Sequence, residues 1–386
     1  MKLPPRPSRM VVMLFYGTVV AHLGPTLGVF GAARERGLGA LASVGLALVF
    51  VLLGVGGFVA RVWHGLEDRK GEERLVTWFY VPYFVHWCAC IFALVPSALF
   101  LVVRPIVGLV TGGELLPLVF FSRVYLLGLA VGAYGIYVRR RWTEIRRVEV
   151  RVSGLPAAFD GYTIAHLSDL HIGSYTPKSW GKRWAERANA LRPDAAVLTG
   201  DFVTSGVAFH DDIAEVVGAL RATDGVFVSM GNHDYFGDGE PMIGYFRERG
   251  VRVLRNEGQT LTRGAATLYL AAIDDTWTRR ADMDAALAAR PEGAPCVLLA
   301  HDPEVFPEAV KRGVDLQLSG HTHGGQLAVP FLARRMSLAT LAHRFNVDVY
   351  TEGRSTLYVH PGLGTTGPPI RLGAAPAIAL ITLRSA

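Results

Sequence analysis

Cysteine is scarce in this sequence, and the positions of its few cysteines exclude a disulfide framework. The chain has three, of which Cys88 and Cys90 lie inside an apolar run and Cys296 opens a short apolar run typical of a buried strand. An odd number at such positions is not the pattern of a small disulfide-stapled secreted domain. We expect the Cys-x-Cys pair to pack inside a membrane segment rather than to bind metal.

An excess of basic residues is also missing from the C-terminal part of the chain. Residues 1–150 carry 16 Lys and Arg against 8 Asp and Glu, whereas the remaining residues carry 23 against 25. A nucleic-acid-binding domain needs a basic stripe or patch on its surface. We therefore do not expect nucleic acid as a partner, and we assign the basic residues of the first part to membrane topology.

Long apolar runs are abundant, because 51% of the 386 residues are hydrophobic. Each run is close to the ~20 residues that a helix needs to cross the hydrocarbon core of a membrane. The sequence therefore predicts an all-α module of about four transmembrane helices over residues 1–147, followed by a second domain over residues 148–386. The four runs are Val11–Gly31, Ala40–Ala60, Phe79–Val103 and Leu118–Val138.

The Lys and Arg content of the segments that connect these runs alternates between high and low. The N-terminal tail contains Lys2, Arg6 and Arg9, and a cluster from Arg139 to Arg147 follows the fourth run. Because cytoplasmic loops carry more Lys and Arg, this alternation predicts a multi-pass protein of the cell (inner) membrane with its C-terminal domain in the cytoplasm.

Two histidines, His22 and His86, lie within the predicted spans. An ionisable residue inside a membrane is a candidate for function, for example in a proton relay. Neutral histidine costs less to bury than a fixed charge, so we favour hydrogen bonding in the helix interior.

After residue 150 the pattern changes to short β-rich runs that alternate with amphipathic stretches. This alternation predicts βαβ units around a buried sheet, and later strands with fewer helices between them predict a second sheet packed on the first. The predicted strands are Tyr162–Leu167, Ala195–Leu198, Val226–Ser229, Thr267–Ala272, Cys296–Ala300, Leu316–Ser319, Leu357–His360 and Ala377–Leu383, and the helices are Lys178–Leu191 and Ile213–Leu220.

Polar clusters follow five of these predicted strands. At the carboxyl edge of an α/β sheet, where ligands gather, such clusters form a metal-site pattern. Two metals ~3.5–4 Å apart can hold the attacking and leaving oxygens of a phosphoester, and a carboxylate such as Asp201 can bridge them. In an extended segment, Asp169 with His171 and His321 with His323 would each point the same way and form a chelating pair. The clusters are Ser168–His171, Thr199–Asp201, Gly231–Asp234, His301–Asp302 and Gly320–Gly325.

These clusters, with the phrases LSDLHIG, VLTGD, GNHDYF, LLAHDPE, LSGHTHGGQ and GLGTTGPPIRLG, resemble the calcineurin-like metallophosphoesterase superfamily. Within it, the chain is similar to the bacterial membrane-associated branch typified by YkuE and YaeI. The resemblance covers about Val148 to the C-terminus. It implies a four-layer αββα sandwich and a dinuclear centre of Mn, Fe or Zn.

The resemblance also implies a role for individual residues. One metal would be held by Asp169, His171, Asp201 and His323, and the second by Asp201, Asn232, His301 and His321. A hydroxide that bridges the metals would attack phosphorus. His233 would assist the leaving group, and Asp234 would hydrogen-bond and orient His233.

The sequence thus predicts a phosphodiesterase or pyrophosphatase that acts on a membrane or lipid-linked phosphoester, with membrane lipids as further partners. The alternatives are a tethered phosphatase or nuclease for a soluble substrate and a non-catalytic metal-binding membrane sensor. The basic, apolar segment Phe331–Val347 is either a lid for an acidic lipid headgroup or an ordinary connection. Arg371 is either a phosphate contact or a surface arginine.

Overall fold

The computed structural model describes residues 9–63, 68–112 and 117–386 and divides the chain into two compact units. Unit 1 comprises Met1–Leu66 and Arg74–Val138, and unit 2 comprises Glu67–Glu73 and Arg139–Ala386. Strand β1 (Glu144–Val152) lies across the predicted domain boundary at residue 148. Lys2 and Arg6, which contributed to the predicted topology, lie outside the described residues.

The described part of unit 1 is helical. It contains four helices that are long and apolar enough to cross a membrane, over Val12–Glu35, Ala40–Val62, Glu73–Thr111 and Phe120–Arg141. The described residues therefore contain four candidate spans, the number that the sequence predicts. Many apolar side chains on these helices are exposed, as expected of surfaces that face lipid rather than water. The helices are α1 (Arg9–Glu35), α2 (Ala40–Trp63), α3 (Glu73–Leu75), α4 (Val81–Thr111) and α5 (Pro117–Ala133), with π-helical turns at Val76–Tyr80 and Tyr134–Val138.

Helix α4 is longer than the predicted third span, which was expected to end at Val103. It continues to Thr111 and ends at Gly112, whose left-handed φ of 64° is a common helix stop. Arg104, which the sequence placed in a connecting loop, is therefore inside the helix. A long arginine side chain at this position can extend its guanidinium toward the membrane surface.

Unit 2 contains two mixed six-stranded sheets, and every residue from Arg139 to Ala386 is described. The first sheet has the strand order β1-β12-β2-β3-β4-β5, and the second has the order β10-β11-β9-β8-β7-β6. Strands β2 to β5 run parallel to one another, as do β7, β8, β9 and β11. The strands are β1, β2 (Thr163–Leu167), β3 (Ala195–Thr199), β4 (Gly225–Ser229), β5 (Arg252–Val253), β6 (Glu257–Arg263), β7 (Ala266–Ala272), β8 (Cys296–Leu299), β9 (Leu316–Ser319), β10 (Asp348–Glu352), β11 (Ser355–Val359) and β12 (Ala377–Ser385).

Apolar cores lie on both faces of each sheet. Side chains such as Val197 and Phe227 of the first sheet pack against Leu270 and Leu318 of the second. The outer face of the first sheet is covered by α6, α7 and α8, and that of the second by α9 and α10. This arrangement confirms the predicted αββα sandwich. The helices are α6 (Lys178–Asn189), α7 (His210–Gly218), α8 (Glu240–Glu248), α9 (Met283–Leu287) and α10 (Phe306–Lys311).

Candidate metal centre

The loops after β2, β3, β8 and β9 bring six of the seven predicted metal ligands together in two groups. The ligand atoms of each group lie within 4.8 Å of one another. Asp201 belongs to both groups, as a bridging ligand must. The first group is Asp169, His171, Asp201 and His323, and the second is Asp201, His301 and His321.

A single carboxylate oxygen of Asp201 faces both groups. Its Oδ2 lies 3.5 Å from His171 Nε2 and 3.2 Å from His301 Nε2. Nitrogens of different imidazoles also approach closely, with 3.0 Å between His171 Nε2 and His323 Nε2 and 3.2 Å between His301 Nε2 and His321 Nδ1. Imidazole nitrogens grouped around a carboxylate oxygen are the donor set of a divalent transition metal.

The backbone of these loops is not extended, so the predicted basis for the chelating pairs is wrong. Five ligands have a left-handed φ, between 46° for His171 and 72° for His321. Asp169 and His171 nevertheless share a group, but His321 and His323 belong to different groups. Left-handed non-glycine residues cost free energy and are concentrated at functional sites.

Asn232 is the seventh predicted ligand and starts the turn after β4. It is buried, and its Oδ1 has no hydrogen-bond partner in the part of the chain that the structure describes. A buried amide oxygen without a donor is costly. A cation would satisfy it, so the residues at this edge fit a metal site.

Close packing of backbone against the ligands depends on glycine at Gly320. A Cβ at this position would overlap Ser168 Oγ and Asp169 Oδ2. The Asp169 carboxylate accepts the backbone N–H of His321 at 3.0 Å, which holds the β9 loop against the β2 loop. Any larger residue at Gly320 must therefore displace a ligand.

Burial lowers the pKa of three of the four imidazoles in these groups, and only the pKa of His301 is raised. Burial lowers the pKa of His171 to about 3, so this ring is neutral and able to bind a cation. Burial also opposes the charge on His301, but the Asp201 carboxylate outweighs it and raises the pKa to about 10. His301 Nδ1 donates to Thr199 O at 2.6 Å, which directs Nε2 to Asp201. A metal must displace the second proton of His301, so metal affinity should fall as the pH decreases.

His233, the predicted catalytic residue, lies beside the first group and is only partly buried. Its ring centroid is 4.8 Å from that of His171, and its backbone N–H donates to Asp201 Oδ1 at 3.0 Å. The ring is oriented by Thr204, whose carbonyl oxygen accepts from Nδ1 at 2.6 Å. The other ring nitrogen, Nε2, therefore remains for a substrate.

Asp234 does not orient His233, so the role predicted for it is wrong. Its carboxylate accepts four backbone N–H groups, from Phe202 at 2.7 Å, Gly231 at 2.8 Å, Asp201 at 3.0 Å and Val203 at 3.4 Å. Asp234 thus fixes the loop that carries the shared ligand. Thr204, which does contact His233, is an ordinary loop residue in the sequence.

Arg371 is not a surface residue, so that predicted alternative is wrong. Its side chain is fully buried and donates to the carbonyl oxygens of Pro361 at 2.8 Å and Gly364 at 2.6 Å. Its Nη2 lies 3.3 Å from His323 Nδ1. Arg371 therefore ties the late glycine-rich loop to the segment that carries His323.

An apolar rim adjoins the second group, and part of it was missed by the sequence analysis. Trp277 is 60% exposed, and its ring centroid lies 5.1 Å from that of His321. The ring centroid of His343 lies 5.3 Å from that of His321. His343 belongs to a loop, residues 328–344, that exposes Phe331 completely and Leu341 to 84%. We call Trp277 and this loop the apolar rim.

Sequence comparison relates this chain to metallophosphoesterases. A family model described as calcineurin-like phosphoesterase matches residues 162–325. The metallophosphoesterase YkuE of Bacillus subtilis is 30% identical over 262 residues, which are 66% of this chain and 91% of YkuE. A transmembrane protein with metallophosphoesterase domain from Danio rerio is 32% identical over 270 residues, which are 66% of this chain and 61% of that protein. A solved archaeal phosphodiesterase is 15% identical, with a TM-score of 0.29, over 52% of this chain and 83% of its own.

Proposed function

Because the chain belongs to the calcineurin-like metallophosphoesterase family, we propose that it hydrolyses a phosphodiester or pyrophosphate bond of a lipid-linked substrate. The observation that carries the proposal is the position of Asp201, whose one carboxylate oxygen faces both ligand groups. Two divalent ions, of Mn, Fe or Zn, would supply positive charge to the phosphate oxygens and lower the pKa of bound water.

The protein side chains would position the reaction and complete its proton transfers. Thr204 O accepts from His233 Nδ1, so Nε2 is the nitrogen that can exchange a proton with the substrate. A protonated His233 would donate to the leaving-group oxygen, a role that general acids fill with a 10²–10⁴-fold effect on rate. This pairing of ligand groups with a proton donor favours an enzyme over a metal-binding sensor.

The apolar rim supports a substrate that carries a lipid. Exposed large apolar residues that cluster beside a catalytic site mark a surface for a hydrophobic partner. Met336 and Leu338 add to this surface, each more than half exposed, and Arg334 and Arg335 lie between Phe331 and Met336. A surface that combines apolar and basic side chains suits acyl chains beside an acidic headgroup.

The charge alternation also leads us to propose that unit 2 faces the cytoplasm from the cell membrane. Single-cysteine labelling in intact cells tests this sidedness. A cysteine introduced at the exposed Asp238 should resist a membrane-impermeant maleimide until the cells are opened. Labelling of intact cells would reverse the proposed orientation.

Hydrolysis of bis-p-nitrophenyl phosphate by the full-length protein in detergent tests the reaction. We expect turnover that chelation removes and that Mn²⁺ or Zn²⁺ restores, and we expect His233→Ala to lose it. Failure on this diester, with activity on a pyrophosphate, would assign the enzyme to pyrophosphate bonds. Failure on all phosphoesters would favour the sensor.

The lipid preference is tested separately with Phe331→Ser and Leu341→Ser in the apolar rim. Both variants should raise KM for a phospholipid substrate in mixed micelles and leave hydrolysis of the soluble diester unchanged. Equal KM values for the wild type and the variants on the lipid would favour a tethered enzyme for soluble substrates.

A further inference from the structure

The interior of unit 1 contains a second cluster of metal-binding side chains that the hydrolytic reaction does not use. His22 on α1 and His86 and Cys90 on α4 bring their ligand atoms within 4.8 Å of one another. His22 and Cys90 are fully buried, and His86 and Cys90 lie one helical turn apart on the same face of α4. We propose that these three side chains bind a thiophilic transition-metal ion within the membrane helices.

The distances suit a shared ion. His22 Nε2 lies 3.1 Å from His86 Nε2, and Cys90 Sγ lies 3.9 Å from His86 Nε2. Ligands at the usual ~2.0–2.1 Å for nitrogen and ~2.3 Å for sulfur around a tetrahedral ion stand roughly 3.3–3.6 Å apart. These two spacings lie on either side of this range, and the third, between His22 Nε2 and Cys90 Sγ, is within 4.8 Å, so shifts of about 1 Å close the site.

Both histidines are held by their remote nitrogens, as metal-binding histidines usually are. His22 Nδ1 lies 2.7 Å from the carbonyl oxygen of Thr18, which can only accept, so this nitrogen carries the proton and Nε2 carries a lone pair. His86 Nδ1 lies 2.7 Å from the Tyr125 hydroxyl. When this hydroxyl accepts, the Nε2 lone pair of His86 also faces the cluster.

The absence of a side chain at Gly54 of α2 provides the space for the two imidazole rings. A Cβ there would overlap His22 Nε2 and stand 3.0 Å from His86 Nε2. The Tyr83 hydroxyl donates to Gly54 O at 2.9 Å, which fixes the two helices at this level. Glycine therefore allows the imidazoles to meet beside α2.

The charge of the site favours a monovalent ion. Two neutral imidazoles and one thiolate have one negative charge, which Cu⁺ cancels and Zn²⁺ exceeds. An uncompensated charge is costly inside a membrane. Thiolate and imidazole bind both ions, so the ligand chemistry is shared and the charge argument selects Cu⁺.

Without metal the same residues can form a simple hydrogen-bonded chain, in which Tyr125 donates to His86 and His86 donates to His22. This chain is the alternative that an experiment must exclude. Sulfur ligation separates the two, because the ligand groups in unit 2 contain only nitrogen and oxygen atoms. Cys88, buried two positions earlier on α4 and outside the cluster, provides a matched control.

The full-length protein in detergent is loaded with Cu⁺, or with Co²⁺ as a probe for zinc-like ions, and sulfur ligation is measured by X-ray absorption. We expect one sulfur ligand in the wild type and in Cys88→Ser, and none in Cys90→Ser. Sulfur ligation of Cu⁺ alone supports the charge argument, and sulfur ligation of Co²⁺ as well supports a site for either ion.

The absence of sulfur ligation with both ions would overturn the proposal in favour of the hydrogen-bonded chain. Sulfur ligation that survives Cys90→Ser would overturn it as well. Matching helical circular dichroism and elution volumes for the two serine variants confirm that any difference lies in metal binding. The outcome does not depend on phosphoester hydrolysis.

Discussion

Replacing Asp234 with asparagine separates the role that the structure gives this residue from the role that the sequence predicted. In the structure its carboxylate holds four backbone N–H groups of the loops after β3 and β4. The predicted role was to orient His233, which it does not contact through its side chain. Asparagine keeps the shape but offers one acceptor oxygen instead of two.

The geometry indicates which hydrogen bonds Asp234→Asn loses. The amide oxygen should take the place of Oδ2, where the Gly231 and Asp201 donors are close at 2.8 and 3.0 Å. The NH₂ group then faces the N–H of Phe202 at 2.7 Å and the weaker Val203 contact at 3.4 Å. Loss of the well-formed bond costs about 1–3 kcal/mol, and loss of the weak bond adds up to about 1 kcal/mol, so the total is about 1–4 kcal/mol.

Hydrogen–deuterium exchange of the full-length protein measures this loss locally. At about 1.4 kcal/mol per tenfold change, protection of the peptide that contains residues 201–203 should fall roughly 5- to several-hundredfold. Metal affinity should fall with it, because Asp201 lies in this peptide. The control variant Asp238→Asn replaces an exposed residue in the loop after β4 that also contains Asp234. It should change neither the protection of residues 201–203 nor the metal affinity. Unchanged protection together with a loss of turnover equal to that of His233→Ala would refute the reasoning and restore the predicted role.

Three further variants test other parts of the site. His233→Ala should lower kcat about 10²–10⁴-fold while the metal content by mass spectrometry stays unchanged; loss of metal would contradict a purely catalytic role. Gly320→Ala should weaken metal binding at least tenfold in a chelator titration, whereas Gly244→Ala, with nothing within 4 Å of the new Cβ, should not; equal affinities would contradict the close approach. Arg371→Lys should destabilise unit 2 by about 2–4 kcal/mol, because one ammonium group cannot reach the same carbonyl oxygens. Calorimetry should show a lower Tm for unit 2, and an unchanged Tm would contradict the structural role of Arg371.

The grouping of the candidate ligands was predictable because each follows a strand in the sequence. A strand that ends at Leu167 or Thr199 delivers the next polar residues to one edge of the sheet, so order along the chain becomes proximity in space. The predicted sandwich rested on the same alternation of short apolar strands and amphipathic helices. Neither inference needed knowledge of how the loops turn.

The roles of Asp234 and Arg371 depend on loop conformation and could not be read from the sequence. Asp234 is next to His233, but neighbouring side chains in the 3₁₀ turn Asn232–Tyr235 diverge, and its carboxylate turns back to the β3 loop. Arginine is a residue type that commonly binds phosphate, yet Arg371 donates to carbonyl oxygens of the loop Pro361–Gly364. The sequence carries no periodic signal for either arrangement.

Edge strands were missed for a different reason. Strand β1 shows an alternation of Val148, Val150 and Val152 with charged residues, but the arginines in its first half were assigned to membrane topology. One of them, Arg146, instead donates to Asp348 at the start of β10 at 2.7 Å. Arginine is common both at the cytoplasmic end of a membrane segment and on a charged edge strand. Composition alone therefore does not separate the two.

The central claim is that Asp201 joins two metal ions in one hydrolytic centre. Electron paramagnetic resonance of the full-length protein loaded with Mn²⁺ tests this directly, because ions that share a carboxylate are magnetically coupled. We predict the spectrum of a coupled Mn²⁺ pair in the wild type and its loss in Asp201→Ala. A wild-type spectrum of isolated Mn²⁺ ions at full occupancy would contradict the account.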